Sequence, residues 1–150
     1  MQRITPFTEW PLYGVAKTRA IEAQAQSSRP QPSLMQCAGQ SVAQLAMAWA
    51  PHAQRIWVAC GPGNNGGDGL HAAIHLHAQG KSVWLTLCPG SNPSVEALDA
   101  LGQVKKEGIP IHDHAPTEWD LGIDALLGLG HARPPEGQLQ LQMHRLRQAH

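Results

Sequence analysis

An α/β fold, a three-layer αβα sandwich, is predicted for this chain by three observations. Short apolar runs alternate with segments of helical periodicity, turn residues separate the two, and a glycine-rich loop sits where the first apolar run meets a helix. The first helical segment is Gly14 to Gln26, in which Val15, Ala16, Ala20, Ile21 and Ala25 are interleaved with polar residues until Ser27-Ser28-Arg29-Pro30-Gln31-Pro32-Ser33 breaks the pattern. Ser33 then suits an N-cap, and Leu34, Met35, Ala38, Val42, Leu45, Ala46 and Trp49 recur at helical spacing as far as Pro51. Arg55 to Cys60 is a short apolar run between turn signals and reads as a buried strand. Asp68 to Gln79 reads as a helix stopped by Gly80, Lys81 to Cys88 as a strand and Ser94 to Glu107 as a helix. Ile109 to His112 and Leu121 to Leu127 are two further strands. A terminal helix, Gln138 to Gln148, carries Leu139, Leu141, Met143 and Leu146. Strands alternating with helices of about a dozen residues imply parallel pairing and right-handed crossovers.

The 150 residues suit one domain with a sizeable core. Eleven Lys and Arg balance eleven Asp and Glu, and no basic patch stands out, so neither nucleic acid nor an anionic membrane is expected as a partner. No stretch approaches the roughly 20 apolar residues of a membrane span, the start lacks an apolar signal core, and a cytoplasmic location is expected. Cys37, Cys60 and Cys88 lack the close pairing of a zinc or redox motif and are expected to be buried thiols. His71 and His75 share a helical face, but no Glu lies between them as in His-Glu-x-x-His; these two, with His77, His112 and His114, are expected at the surface or on loops. The tryptophans are expected to pack rather than to stack on a ligand.

The chemistry concentrates in Gly61-Pro62-Gly63-Asn64-Asn65-Gly66-Gly67-Asp68-Gly69, at the carboxyl end of the first strand, where open α/β sheets bind ligands. Gly61, Gly63 and Gly66 have the spacing G-x-G-x-x-G, which brings backbone amides and a helix N-terminus to a phosphate. The second strand leads into Cys88-Pro89-Gly90-Ser91 without the acidic residue that dinucleotide-dependent hydride transfer calls for, and no Lys-Ser or Lys-Thr completes a P-loop. Two amides and a carboxylate within glycine-rich backbone instead offer hard oxygens to a cation beside donors for a phosphate. A plain strand-to-helix turn capped by Asp68 is the bland alternative. Asp124, near the end of the fourth apolar run, is expected to be buried and to need a partner. The loop Gly128 to Gly137 follows it, with Arg133 either a bidentate phosphate ligand or a solvated charge.

At these residues the sequence resembles the YjeF N-terminal domain family, the NAD(P)H-hydrate epimerases. The nine-residue loop Gly61 to Gly69 is that family's hallmark. Arg19-Ala20-Ile21-Glu22 and Leu34-Met35-Gln36-Cys37-Ala38-Gly39 are similar to its first two helices, and Ile123-Asp124-Ala125-Leu126-Leu127-Gly128-Leu129-Gly130 with Arg133-Pro134 and Gly137 to its second loop. The resemblance implies a Rossmann-like, mostly parallel sheet and a site for the R and S hydrates of NADH or NADPH (NADHX, NADPHX), interconverted at the hydrated ring carbon in cofactor repair. It places Asn64, Asn65, Gly66, Gly67 and Asp68, with Gly128, Leu129, Gly130, His131, Ala132, Arg133 and Pro134, on the nucleotide, and a potassium ion on Asn65 and Asp124. The reaction needs a group to move a proton or assist loss of the hydroxyl, and Asp68 and Asp124 are the carboxylates in place for it. A dehydratase, as a fused domain or a separate protein, is the implied partner, and a homodimer is left open.

Leu129 stands where that family has Thr and Ile74 where Arg is common. The family continues into a strand ending in Asp-x-Pro-Ser-Gly, so residues 1–150 are expected to be one such domain without its C-terminal strands. A non-catalytic nucleotide-binding or scaffold module of the same fold is the competing reading.

Overall fold

A computed structural model describes residues 11–28, 31–90, 93–129 and 134–148. Among these residues five helices and four strands follow in the order α1 (Val15–Ser28), α2 (Leu34–Trp49), β1 (Arg55–Cys60), α3 (Asn64–Ala78), β2 (Ser82–Leu87), α4 (Val95–Lys106), β3 (Ile111–His112), β4 (Leu121–Ala125) and α5 (Gly137–Arg147). The strands form one parallel sheet in the order β3-β2-β1-β4, with Trp57 opposite Trp84 on one side and Gly122 on the other. The expected α/β sandwich is what the chain forms.

β1 reads as a continuous apolar run because both of its faces are covered. Ile56, Val58 and Cys60 point with Val83, Leu85 and Ala125 into a core closed by α2, α3 and α4, to which Met35, Ala43, Leu70, Leu76, Ala100 and Val104 belong. Trp57 and Ala59 point the other way, to Leu126, Cys88, Trp119 and the α5 residues Leu139, Met143 and Leu146. Each fully buried Ile, Val or Leu in these layers contributes about 1.5–3 kcal/mol. On α2, Ser33 and Gln36 form the reciprocal cap: the Ser33 hydroxyl accepts from the Gln36 amide at 3.2 Å and Gln36 Oε1 from the Ser33 amide at 2.8 Å.

The return from β3 to β4 is the irregular segment 113–120, which crosses the α5 face. Trp84 Nε1 donates to the His114 carbonyl at 2.9 Å, and Trp119 meets Trp57 edge-on at 5.0 Å. At the amino end of the sheet Asp120 accepts from the Gln54 and Arg55 amides at 2.9 and 2.8 Å and from the Arg55 guanidinium, which also reaches Glu118 at 2.8 Å. The Arg55 guanidinium and these amides hold the Asp120 carboxyl well below the usual range.

Several expectations are corrected. α3 begins at Asn64, four residues before Asp68, so the Asn-Asn-Gly-Gly string is helix rather than loop. Cys37 is exposed on α2, while Cys60 and Cys88 are buried as expected. His71 is buried between α2 and α3 instead of lying at the surface, and Trp49 is 81% exposed, outside any core. Leu141 is 70% exposed and Gln142 takes the inward position on α5, its Oε1 accepting from the Thr86 hydroxyl, which itself accepts from Trp57 Nε1. No helix among the described residues is long and apolar enough to cross a membrane.

Candidate functional site at the carboxyl edge of the sheet

The site is built where β1 and β4 end side by side. The Gly61 amide donates to the Ala125 carbonyl at 2.9 Å and the Cys88 amide to the Cys60 carbonyl at 2.8 Å, carrying the ladder past the last strand residues. Two glycines make the turn into α3 sterically feasible: a Cβ at Gly61 would overlap the Leu126 carbonyl, and one at Gly66 the Gly61 carbonyl. Gly67 sits against the Met35 thioether in the same way. Gly66 and Gly67, expected on the nucleotide, are therefore buried where α3 packs, and Gly63 is the loop glycine that faces open space.

The first turn of α3 presents Asn64, Asn65 and Asp68 to a cavity of about 820 Å³, whose far side is formed by Leu126 to Leu129. Asn65 joins the two sides: its Nδ2 donates to the Leu127 carbonyl at 3.1 Å, and a Cβ added at Gly128 would lie 3.1 Å from the Asn65 Cβ. Asp68 is half-buried, and burial, with Glu22 and Glu96 adding negative charge, pushes its carboxyl up to about 6. The carboxyl therefore keeps its proton to a higher pH than a solvated aspartate does. Burial likewise pushes the Cys60 and Cys88 thiols up, Cys88 to about 11, which disfavours the thiolate form.

Asp124 is placed differently from the expectation. It is exposed rather than buried, because the alternation along β4 turns Leu121, Ile123 and Ala125 toward α3 and sends Gly122 and Asp124 to the α5 face. Its Oδ1 accepts from the Leu126 amide at 3.0 Å, and it lines a second cavity of about 360 Å³ with Trp119, Met143 and Arg147. Asn65 lines the large cavity and Asp124 the second one, while both side chains bond the backbone that follows β4, Asn65 at the Leu127 carbonyl and Asp124 at the Leu126 amide; no group of three or more His, Cys, Asp and Glu able to hold a metal occurs among the described residues. Gly128 and Leu129 lie on the large cavity, Pro134 does not, and Gly130, His131, Ala132 and Arg133 lie outside the described residues.

Four polar residues on that wall were not singled out from the sequence as site residues. Arg19, Glu22 and Gln26 of α1 and Glu96 of α4 all face the cavity. The signal for the first three was present, since positions 19, 22, 23 and 26 are one face of a helix. Glu96 had no local signal beyond being an acidic residue in a first turn capped by Ser94.

Residues 31–150 match the family described as "YjeF-related protein N-terminus". The chain is 39% identical over 116 residues to a bifunctional NAD(P)H-hydrate repair enzyme of Thermofilum pendens, covering 69% of this chain and 22% of that enzyme. It is 42% identical over 101 residues to an NAD(P)H-hydrate epimerase of Sclerotinia sclerotiorum, covering 63% of this chain and 42% of the epimerase. The crystal structure of yeast ynu0 superposes with a TM-score of 0.70 at 25% identity, over 90% of this chain and 65% of the yeast chain. The chain thus spans under half the length of these two curated relatives and about two thirds of the solved one.

Proposed function

The chain belongs to the family of YjeF-related protein N-termini, and from that premise we propose that it carries NAD(P)H-hydrate epimerase activity, interconverting the R and S hydrates of NADH or NADPH, with Asp68 as the proton-moving group. The observation that carries this reading is the placement of a half-buried carboxyl that titrates near neutrality on the same turn as Asn64 and Asn65, inside the large cavity at the sheet's carboxyl edge.

In this scheme Asp68 in its acid form gives a proton to the departing hydroxyl oxygen at the hydrated ring carbon, and the C–O bond breaks with loss of water. A water adds to the opposite face and the Asp68 carboxylate takes a proton back, so substrate and product differ only in configuration. Asn64 and Asn65 supply amide donors and acceptors to the nucleotide, and the open backbone at Gly63 admits its phosphates beside the α3 N-terminus. Asp68 is preferred to Asp124 because Asp124 lines the other cavity. Potassium, which the resemblance assigns to Asn65 and Asp124, has no step in this scheme. A dehydratase that consumes one epimer is the fitting partner, in keeping with the bifunctional repair enzyme among the relatives.

The test is to incubate the purified chain with R-NADHX and a dehydratase that consumes only the S epimer. Consumption faster than spontaneous epimerisation, lost in Asp68→Asn, is the expected result. NADHX binding with no acceleration would favour the non-catalytic module instead.

A further inference from the structure

α1 buries none of its residues, yet Arg19, Glu22, Ala23 and Gln26 line the large cavity from one face of this helix. Gln26 holds that face in place by two bonds. Its Nε2 donates to Glu96 Oε1 at 3.2 Å across a separation of 70 residues, and its Oε1 accepts from the Leu34 amide at the start of α2 at 3.3 Å. One amide thereby ties α1 to both α4 and α2 over the mouth of the cavity, and brings Glu22 and Glu96 to the wall that also carries Asp68.

We propose that Glu22 and Glu96 are positioning residues for Asp68, their carboxylates keeping it in the acid form in which it can deliver a proton. This rests on the functional reading above and deepens it. Three acidic side chains share the described wall with one cation, Arg19, which lies a turn before Glu22 and acts in the opposite sense; α2 and the 126–129 segment contribute no titratable group to it. Burial is the first cause that raises the Asp68 carboxyl, and Glu22 and then Glu96 are the charges that raise it further. Because like charges act through space, neither glutamate need touch the substrate, and the amide of Gln26 sets the distance of one of them.

The experiment compares the whole chain with Glu22→Gln, Glu96→Gln and the double variant. Two readouts are used: the titration of the Asp68 carboxyl followed by ¹³C NMR, and the pH profile of kcat/KM for epimerisation. The Asp68 midpoint should fall in each single variant and further in the double, and the alkaline limb of the profile should move to lower pH with it. A fall of one unit lowers the acid fraction, and so the rate well above the midpoint, about tenfold, while the rate at about pH 4 stays near that of the parent. Glu22→Asp should restore most of the shift. An Asp68 midpoint that does not move in the double variant overturns the proposal, as does a midpoint that moves while the profile stays fixed. A parent chain that does not epimerise overturns the functional reading, and the titration then decides the coupling by itself, a fallen midpoint supporting it.

Discussion

Asp68→Asn should stabilise the protein while abolishing its chemistry, and the size of both effects follows from where the carboxyl sits. In the unfolded chain it titrates near 3.8 and in the folded chain at about 6. The folded state therefore binds the proton more tightly, so stability is greatest below pH 3.8, declines as pH rises to 6, and stays reduced above it. A shift of this size would amount to roughly 3 kcal/mol for a fully desolvated group, and solvent screening at a half-buried one brings that to ~1 kcal/mol. Asparagine keeps the shape and removes the charge. For a chain of this length the melting temperature should rise by about 2–4 °C at pH 7.5. The difference should shrink as pH falls through 6 and vanish below 4. Differential scanning calorimetry of parent and variant across that range measures it, and epimerisation at pH 7 should fall by ~10²-fold or more. A melting difference that is the same at pH 7.5 and pH 3.5, or a variant less stable at pH 7.5, would refute the argument that the carboxylate is held against its preference.

Three other outcomes follow from contacts already described. Asn65→Ala removes the bridge from α3 to the Leu127 carbonyl, and should cost about 1 kcal/mol in urea unfolding and weaken NADHX binding more than it lowers the melting temperature. Gly66→Ala places a methyl group on the Gly61 carbonyl and should destabilise by roughly 1–3 kcal/mol, whereas Gly63→Ala, in open space, should leave unfolding within about 0.5 kcal/mol of the parent. Thr86→Val strands the Trp57 Nε1–H and the Gln142 Oε1 in the layer beneath α5, and a loss of ~2 kcal/mol is expected with near-UV dichroism of Trp57 altered.

Those elements were most legible in the sequence whose local pattern and tertiary role coincide. β1 is apolar without interruption because both faces are covered, and α2 announces itself by its Ser33 cap and helical spacing, although the face it buries runs through Met35, Gly39, Ala43 and Ala46 and leaves Leu34, Leu45 and Trp49 exposed. Local pattern starts α3 at Asp68 because Asn and Gly are turn formers on intrinsic preference, and tertiary packing overrides that preference by starting it at Asn64. Only glycines let the helix approach the Gly61 carbonyl and Met35 so closely, so the residues that argue for a loop are the ones this helix requires. The two aspartates show the opposite case, in which the signal was present. Leu121, Ile123 and Ala125 alternate with Gly122 and Asp124, and a period of two sends Asp124 to the face away from α3. Reading that alternation separates the two carboxylates that loop proximity alone would pair. Proximity in sequence to a glycine loop thus places a residue at the right end of the sheet, and strand parity decides on which side of it the residue can act.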